Sequence, residues 1–208
     1  MRAEIILASA SPRRRELLEQ IGLPFRVIPS SFDESAVKGT EPMALAEALA
    51  LGKARAVADG VRSGIVIGAD TLVVRAGAIL GKPRDDADAA RMLRLLSGGW
   101  HEVVTGIAVI DAASGRERSA REVTRVKMRD LTAAEIAAYV ASGEPADKAG
   151  AYAIQGLASL FIERIEGCYA NVVGLPVFHL AALLREFGID PLLQSLSTAA
   201  GSGMEQYD

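Results

Sequence analysis

Three consecutive arginines follow a Ser-Ala-Ser-Pro turn in the stretch LASASPRRRELL, residues 7–18. Ser followed by Pro is typical of the start of a helix, where unpaired N–H groups and the helix dipole attract anions. Cations in that first turn are unfavourable unless an anion occupies the site. Arg13 and Arg14 therefore indicate a phosphate site to which Ser9 adds a hydroxyl. An exposed basic helix start, with Arg15 in solvent, explains this stretch alone equally well.

Two further charged residues fall where the pattern predicts apolar surroundings. Lys53 lies between Leu49 and Val57 on the apolar face of a predicted helix, where an unpaired ammonium is costly. Asp70 interrupts the apolar run at 65–74, and a buried carboxylate needs a partner, a metal or a raised pKa. Both have structural alternatives, because lysines extend to solvent from the rim of such faces and buried aspartates occur at strand ends. Asp70 favours a functional site more strongly than Lys53 does.

Acidic and basic residues in two predicted loops complete the set. Asp33 and Glu34 follow a short predicted strand; such pairs are usually solvated, but with Asp70 they would supply the oxygen ligands that Mg²⁺ prefers. Lys82 lies in GAILGKP, residues 77–83, which resembles a phosphate-binding loop. Its glycines are one residue too close, and a proline replaces the Ser or Thr that would bind magnesium. The stretch therefore excludes a Walker-type NTPase, while Lys82 remains a candidate phosphate contact.

These residues lie on alternating strands and helices. Strands are predicted over 4–9, 25–29, 64–74, 100–112, 121–131 and 157–168, with a short strand after a turn at Gly77. Helices are predicted from Pro12 to Gly22, over 42–59 after Thr40, from Asp85 to Gly98, from Thr132 to Gly143 and over 175–188. The two long strands around residue 115 form a hairpin. Gly68 permits close approach of a ligand or another backbone beside Asp70. The pattern predicts an α/β fold with two lobes that share a mixed sheet.

Composition restricts the classes of function. The chain of 208 residues has 23 Lys and Arg against 26 Asp and Glu, a formal charge of −3, which argues against a general nucleic-acid-binding surface. A local arginine cluster that holds a small anion is compatible with this balance. The single cysteine, Cys168, excludes a disulfide within the chain and a cysteine-based zinc site. No stretch approaches a membrane span, and the N-terminal apolar run is too short for a secretory signal. We expect a cytoplasmic protein without membrane partners.

Several motifs, in this order along the chain, resemble the Maf family of nucleoside triphosphate pyrophosphatases. They include LASASPRRRELL, LALGKARAVA, IGADTLVV, GKPRDDADAARMLRLLSG, DKAGAYAIQG and NVVGLPVFHLAALL. The resemblance implies an elongated mixed sheet with flanking helices and two lobes around a deep cleft, similar to inosine triphosphate pyrophosphatases. Residues 1–191 would form this single domain, and the polar residues 192–208 a disordered tail. The resemblance also suggests a homodimer.

The resemblance further implies hydrolysis of a nucleoside triphosphate to the monophosphate and pyrophosphate, with Mg²⁺ or Mn²⁺. Residues that match the phosphate-binding positions are Ser9, Arg13, Arg14, Lys53 and Lys82. Glu34 and Asp70 match the acidic residues that would bind the metal. Asp70 also matches the proposed proton acceptor, so it would act as base, as metal ligand or as both.

Three positions separate the substrate branches of the family. This sequence has Arg13, Thr71 and Gln155, as does the branch that acts on dTTP and UTP, where the branch for 7-methyl-GTP has Trp, Gln and Glu. Thr71 and Gln155 carry donors and acceptors suited to the imide edge of uracil or thymine. Two other classes stay open: a nucleotide-sensing regulator of cell division without turnover, and a nucleotidyltransferase. A sensor needs no acidic metal site, and a transferase needs an acceptor.

Overall fold

The computed structural model describes residues 3–37, 39 and 41–202. The strands are β1 (Ile5–Leu7), β2 (Arg26–Val27), β3 (Ile65–Arg75), β4 (Ala78–Leu80), β5 (Trp100–Asp111), β6 (Glu117–Met128) and β7 (Ile162–Glu166). The α-helices are α1 (Pro12–Gln20), α2 (Pro42–Ala58), α3 (Asp86–Leu96), α4 (Ala133–Ala141), α5 (Tyr169–Val173), α6 (Val177–Glu186) and α7 (Pro191–Ser202). Short 3₁₀ segments cover Glu34–Ala36, Glu144–Asp147, Ala149–Ala151 and Gly156–Phe161.

The strands form one mixed seven-stranded sheet in the order β2-β1-β3-β5-β6-β7, with β4 paired to β3. β1 runs parallel to β2 and β3, and the other pairs are antiparallel. β5 pairs along nearly the whole of one edge of β3. The other edge is shared, because β1 pairs with residues 65–67 and β4 with residues 73–75. Among the described strands, none pairs with residues 68–72 on that edge, and this gap contains Asp70 and Thr71.

Alternating side chains divide the core between the two faces of the sheet. Beneath α2 lie Ile6, Ala8, Val66, Ala108 and Ile110. Against α1 and α6 lie Ile5, Leu7, Ile67, Ile107 and Val109. Further along this second face, Val73, Val103 and Val126 pack with α3 and α4. Burying each large aliphatic side chain contributes about 1.5–3 kcal/mol, so these contacts fix the helices on the sheet.

Two glycines bring α2 unusually close to the sheet. A Cβ on Gly68 would overlap the carbonyl oxygen of Ala50, and one on Gly106 would overlap that of Ala46. The helix backbone therefore lies directly on β3 and β5. Lys53, less than one turn beyond Ala50, is thereby carried to the position of Asp70 on β3. The prediction that Gly68 permits a close approach is confirmed, with a backbone as the neighbour.

The predicted strand over 157–168 is wrong in its first half. Residues Gly156–Phe161 form a 3₁₀ segment, and β7 begins only at Ile162. Gly156 has φ +73°, and the N–H groups of Leu157 and Ala158 donate to the carboxylate of Glu144, at 3.0 and 3.4 Å. A tertiary contact thus takes the N–H groups that a strand would have used. The second hairpin strand also differs: β6 begins at Glu117, four residues before the expected start, and ends at Met128.

Helix boundaries differ in two further places. α2 is capped by Glu41, whose carboxylate accepts from the N–H groups of Met43 and Ala44; Thr40, the expected start signal, lies outside the described residues. The tail expected to be disordered from 192 begins instead within α7, where the Asp190 carboxylate accepts from the N–H group of Leu192. Residues 203–208 of that expected tail lie outside the described residues. No helix in the described part of the chain has the length and apolarity to cross a membrane.

Candidate active site

A cavity of about 630 Å³ opens at the gap in the edge of β3. Its volume lies within the range of pockets that hold one small molecule. Nine of the candidate site residues line it: Ser9, Arg13, Arg14, Glu34, Lys53, Asp70, Thr71, Lys82 and Gln155. Asp33, the other acidic candidate, does not line it, and its carboxylate accepts from the N–H and hydroxyl groups of Ser35. Residues from opposite ends of the sequence thus meet at one place. The structure tests their location in this way, and their roles stay predictions.

The gap explains how one cavity contacts both faces of the sheet. Successive side chains of a strand point to opposite faces. Asp70 is on the face covered by α2, and Thr71 is on the face covered by α1. Because no described strand separates the two faces along residues 68–72, both side chains border the same space.

Lys53 joins two carboxylates at the α2 side of the cavity. Its Nζ lies 2.5 Å from Oδ1 of Asp70 and 2.8 Å from Oε1 of Glu34. The Asp70 side chain is 9% exposed, whereas that of Glu34 is 57% exposed. Burial raises the pKa of Asp70, and the charges of Lys53 and Arg14 oppose this shift only in part. Asp70 is therefore a buried carboxyl with raised proton affinity, which is the property of a proton acceptor.

Arg14 is held by three acceptors on the opposite side of the cavity. Its Nε donates to the carbonyl oxygen of Gly174 at 2.8 Å. Nη1 donates to Oγ of Ser9 at 3.1 Å, and Nη2 donates to Oγ1 of Thr71 at 3.0 Å. A guanidinium has five N–H bonds, so one remains on each terminal nitrogen. Burial lowers the pKa of Arg14, and the nearby carboxylate of Asp70 opposes that shift.

The arginine run divides between the cavity and the protein surface. Arg13 and Arg14, in the first turn of α1, line the cavity, and Arg13 is paired with Asp147 at 3.6 Å. Arg15 is exposed and pairs with Glu19 along the helix. The first turn of α1 contains no acidic residue, so its dipole and two arginines all favour an anion there. The interpretation as an exposed basic helix start therefore fits Arg15, and the phosphate site at Arg13 and Arg14 stays a prediction.

Lys82 and Gln155 reach the cavity from loops. Lys82 follows β4 and is exposed, and Gln155 precedes the 3₁₀ segment at 156–161 and is half-buried. Lys148 also lines the cavity and donates to Oδ1 of Asp147 at 2.6 Å, and it was not predicted from the sequence. Lys148 lies in a loop without apolar periodicity, where a lysine is ordinarily a surface residue.

Two residues behind the cavity were also missed. Thr105 and Asn171 have no exposed surface. Thr105 Oγ1 donates to the backbone oxygen of Asn171 at 3.1 Å, and Asn171 Nδ2 donates to Val103 O and Thr124 Oγ1. A lone threonine in a long strand and a lone asparagine in a short helix have no distinguishing pattern. Only their burial together, 66 positions apart in sequence, reveals the network.

The donor set fits a divalent ion that is shared with a ligand. The carboxylates of Glu34 and Asp70 both contact Lys53 Nζ, so their oxygens lie close together. No cluster of three or more His, Cys, Asp or Glu suited to a metal occurs among the residues described. Mg²⁺ is commonly bound by one or two carboxylates together with substrate phosphates rather than by a cage of protein ligands.

The family comparison and the comparison with known relatives agree with each other. The family model described as Maf-like protein matches residues 4–187. The dTTP/UTP pyrophosphatase of Moorella thermoacetica is 55% identical over 188 residues, which cover 90% of this chain and 97% of the relative. The dTTP/UTP pyrophosphatase of Pelotomaculum thermopropionicum is 53% identical over 189 residues, 91% of this chain and 99% of the relative. Among solved structures, a HAM1 protein from Coxiella burnetii is similar over 61% of this chain and 73% of its own, with a TM-score of 0.40 and 16% identity.

Proposed function

Because the chain belongs to the Maf family, we propose that it hydrolyses dTTP and UTP to the nucleoside monophosphate and pyrophosphate. The observation that carries the proposal is Asp70. It is a buried carboxyl with a raised pKa on the wall of a cavity that basic side chains surround. That combination is suited to a reaction in which a proton is accepted next to a highly anionic substrate.

Basic groups bind the triphosphate. A triphosphate carries about four negative charges, so its hydrolysis is largely a matter of positioning and charge neutralisation. Arg14 presents its two remaining N–H bonds to phosphate oxygens, and Arg13 adds a second guanidinium from the same helix turn. Lys53 and Lys82 add ammonium groups at the cavity wall. Together they stabilise the charge that builds up on the departing pyrophosphate.

Asp70 activates the water. Water attacks the α-phosphorus, the bond from that phosphorus to the bridging oxygen breaks, and pyrophosphate leaves with the bond electrons. Asp70 accepts the proton that the water loses, and Lys53 keeps its carboxylate oriented by the 2.5 Å contact. The raised pKa of Asp70 makes it a stronger base than an exposed aspartate.

Glu34 and Asp70 would hold the divalent ion, Mg²⁺ or Mn²⁺. When bound with substrate, such an ion neutralises charge and polarises the phosphoryl oxygens. Gln155 supplies base recognition, because its amide offers both a donor and an acceptor to the imide edge of uracil or thymine. A site that hydrogen-bonds one base in this way rejects bases that leave its polar groups unpaired.

The test is pyrophosphate release from dTTP, UTP, CTP, GTP, ATP and 7-methyl-GTP, with Mg²⁺ or Mn²⁺ and without any acceptor. We expect fast release from dTTP and UTP, abolished by a chelator and restored by added metal. Nucleotide binding without release from any member of the panel would instead indicate a sensor. Release that requires an added acceptor would indicate a nucleotidyltransferase.

A further inference from the structure

We propose that Thr71 is a positioning residue for Arg14 and does not read the nucleobase. This inference rests on the proposed function, and it changes the role that the substrate-branch comparison gives to Thr71. It follows from the direction of a chain of hydrogen bonds that runs from the cavity into the core of the sheet.

The donor-to-acceptor direction of these hydrogen bonds is determined at the buried end of the series. Thr105 Oγ1 donates to the backbone oxygen of Asn171 at 3.1 Å, and a hydroxyl has one hydrogen to give. Thr105 is therefore the acceptor in its 3.0 Å contact with Oγ1 of Thr71. The hydrogen of Thr71 is used in that bond, while its oxygen accepts from Nη2 of Arg14. The chain reads Arg14 to Thr71 to Thr105 to Asn171.

In this arrangement Thr71 has no hydrogen left to donate to a nucleobase. The imide edge of uracil or thymine presents one N–H between two carbonyl oxygens, and the carbonyls require donors. Thr71 retains one acceptor lone pair and no hydrogen. The side chain of Gln155 takes no part in this series of hydrogen bonds, so its amide can offer both a donor and an acceptor to the base.

The same network is rigid because its inner members are covered. Thr71 and Thr105 are directly opposite each other on the antiparallel strands β3 and β5. The Cβ atoms of such a pair are close together, and the strand pairing holds them in place. Thr105 and Asn171 have no exposed surface, and Asn171 is anchored by two further bonds to β5 and β6. Thr71, itself held by the sheet, thus holds Nη2 of Arg14 in place.

The anchored guanidinium of Arg14 is oriented to bind phosphate. Its guanidinium is held by the chain segment after β1 through Ser9, by β3 through Thr71 and by the end of α5 through Gly174. The two N–H bonds left, one on each terminal nitrogen, form the fork that binds phosphate oxygens in pairs. Without the Thr71 hydroxyl, Nη2 loses its anchor, and the fork is held only through Nε and Nη1.

A ligand without a base separates the two roles. Direct calorimetric binding of inorganic tripolyphosphate, with Mg²⁺, is measured for the wild type and for Thr71→Val, Thr71→Ser and Gln155→Leu. We expect Thr71→Val to bind tripolyphosphate about tenfold more weakly, which is the loss typical of one hydrogen bond to a charged group. Thr71→Ser keeps the hydroxyl and restores binding to within about twofold of the wild type. Gln155→Leu leaves tripolyphosphate binding unchanged.

Non-hydrolysable UTP and CTP analogues give the complementary readout. Thr71→Val weakens both equally, so the ratio of their dissociation constants stays at the wild-type value, whereas Gln155→Leu reduces that ratio. In an Arg14→Lys background, Thr71→Val has little further effect, because the fork it positions is gone. Thermal unfolding of each variant identifies any that fail to fold, and Thr71→Ser then decides the role of the hydroxyl.

Three results would contradict the positioning role of Thr71. Tripolyphosphate binding that Thr71→Val leaves intact, together with a changed ratio of UTP to CTP, would overturn the inference and make Thr71 a base reader. Full additivity of Thr71→Val with Arg14→Lys would overturn it as well, as would a wild type that does not bind tripolyphosphate. All these measurements are of binding, so they judge Thr71 even if the wild type releases no pyrophosphate, a result that would refute the proposed function instead.

Discussion

Asp70 on β3 and Asp88 in the first turn of α3 are both nearly covered, with side chains 9% and 5% exposed. Each is paired with basic groups: Asp70 with Lys53, and Asp88 with Arg84 and Arg91 at 3.3 and 2.8 Å. Yet the pKa of Asp70 is raised and the pKa of Asp88 is lowered. Two carboxyls with similar cover and similar partners thus hold their protons very differently.

The difference lies in what covers each carboxyl. Asp88 is covered by its own partners at the surface of the protein, where Arg91 and the N–H group of Arg84 donate to it and hold its pKa down. It also lies at the positive end of a helix dipole. Asp70 is covered by the sheet and α2, so loss of water is its largest effect, and Glu34 nearby adds repulsion. Depth, more than the number of cationic partners, separates a base from a structural carboxylate.

The largest effect is expected from paired Asp-to-Asn changes at the two sites. Asp70→Asn removes the proton acceptor, and we expect turnover of UTP to fall by about 1,000-fold or more. Asp88→Asn has the same chemistry outside the cavity, and its turnover is expected to stay within about twofold of the wild type. Pyrophosphate release under saturating UTP measures both, and circular dichroism checks that both fold. Near-normal turnover in Asp70→Asn would remove Asp70 from the mechanism.

The cation beside Asp70 provides the next test. Asp70 accepts a proton only when it is ionised, so activity falls as the pH drops through its pKa, which lies above that of an ordinary aspartate. Lys53→Met removes a charge that lowers this pKa, so the acid limb of kcat/KM moves to higher pH. It also removes a phosphate contact, and we expect kcat/KM near neutral pH to fall by about 100-fold. An acid limb that does not move would show that another group titrates in it.

Much of the site was accessible from the sequence because its residues contradict their surroundings. Arginines at a helix start, Lys53 on an apolar face and Asp70 inside an apolar strand each carry a local cost that a ligand or a partner must offset. The same reasoning identified Gly68 as a position of close approach, which α2 occupies. Local cost is visible in a single sequence because it depends only on neighbours along the chain.

The bonds that organise the site were not accessible in this way. Arg14 donates to Gly174, 160 positions away, and Thr105 donates to Asn171. Gly174, Thr105 and Asn171 fit their own elements without cost, so nothing local distinguishes them as partners. The same limit explains the mistaken strand at 157–161, where Glu144 takes backbone N–H groups from outside the segment. Contacts of this kind depend on the folded arrangement, which the pattern of one segment does not contain.

A smaller effect follows from the opposite pKa shifts in the pH dependence of stability. A carboxyl with a raised pKa stabilises the folded protein below its unfolded pKa, and this contribution is lost as the pH rises through the folded value. A carboxyl with a lowered pKa does the reverse. Over a pH range that brackets the ordinary aspartate pKa of about 4, the free energy of unfolding of the wild type relative to Asp70→Asn should therefore fall with rising pH, and relative to Asp88→Asn it should rise. Urea titrations across this range give both differences, and slopes of the same sign would show that the two carboxyls do not differ as described.

The smallest effect is expected when a single surface partner is removed. Arg91→Met deletes the strongest contact of Asp88, but Arg91 is 56% exposed, and the backbone N–H and side chain of Arg84 still donate to the carboxylate. The pKa of Asp88 should rise only part of the way to its ordinary value. The free energy of unfolding of Arg91→Met should therefore still fall at low pH because of Asp88, but by less than in the wild type. Turnover should match the wild type. Lys53→Met and Arg91→Met each remove one cation from a nearly covered aspartate, and urea unfolding with UTP turnover compares them directly. An Arg91→Met variant as impaired as Lys53→Met would mean that counting partners, and not depth, decides how a carboxylate behaves in this protein.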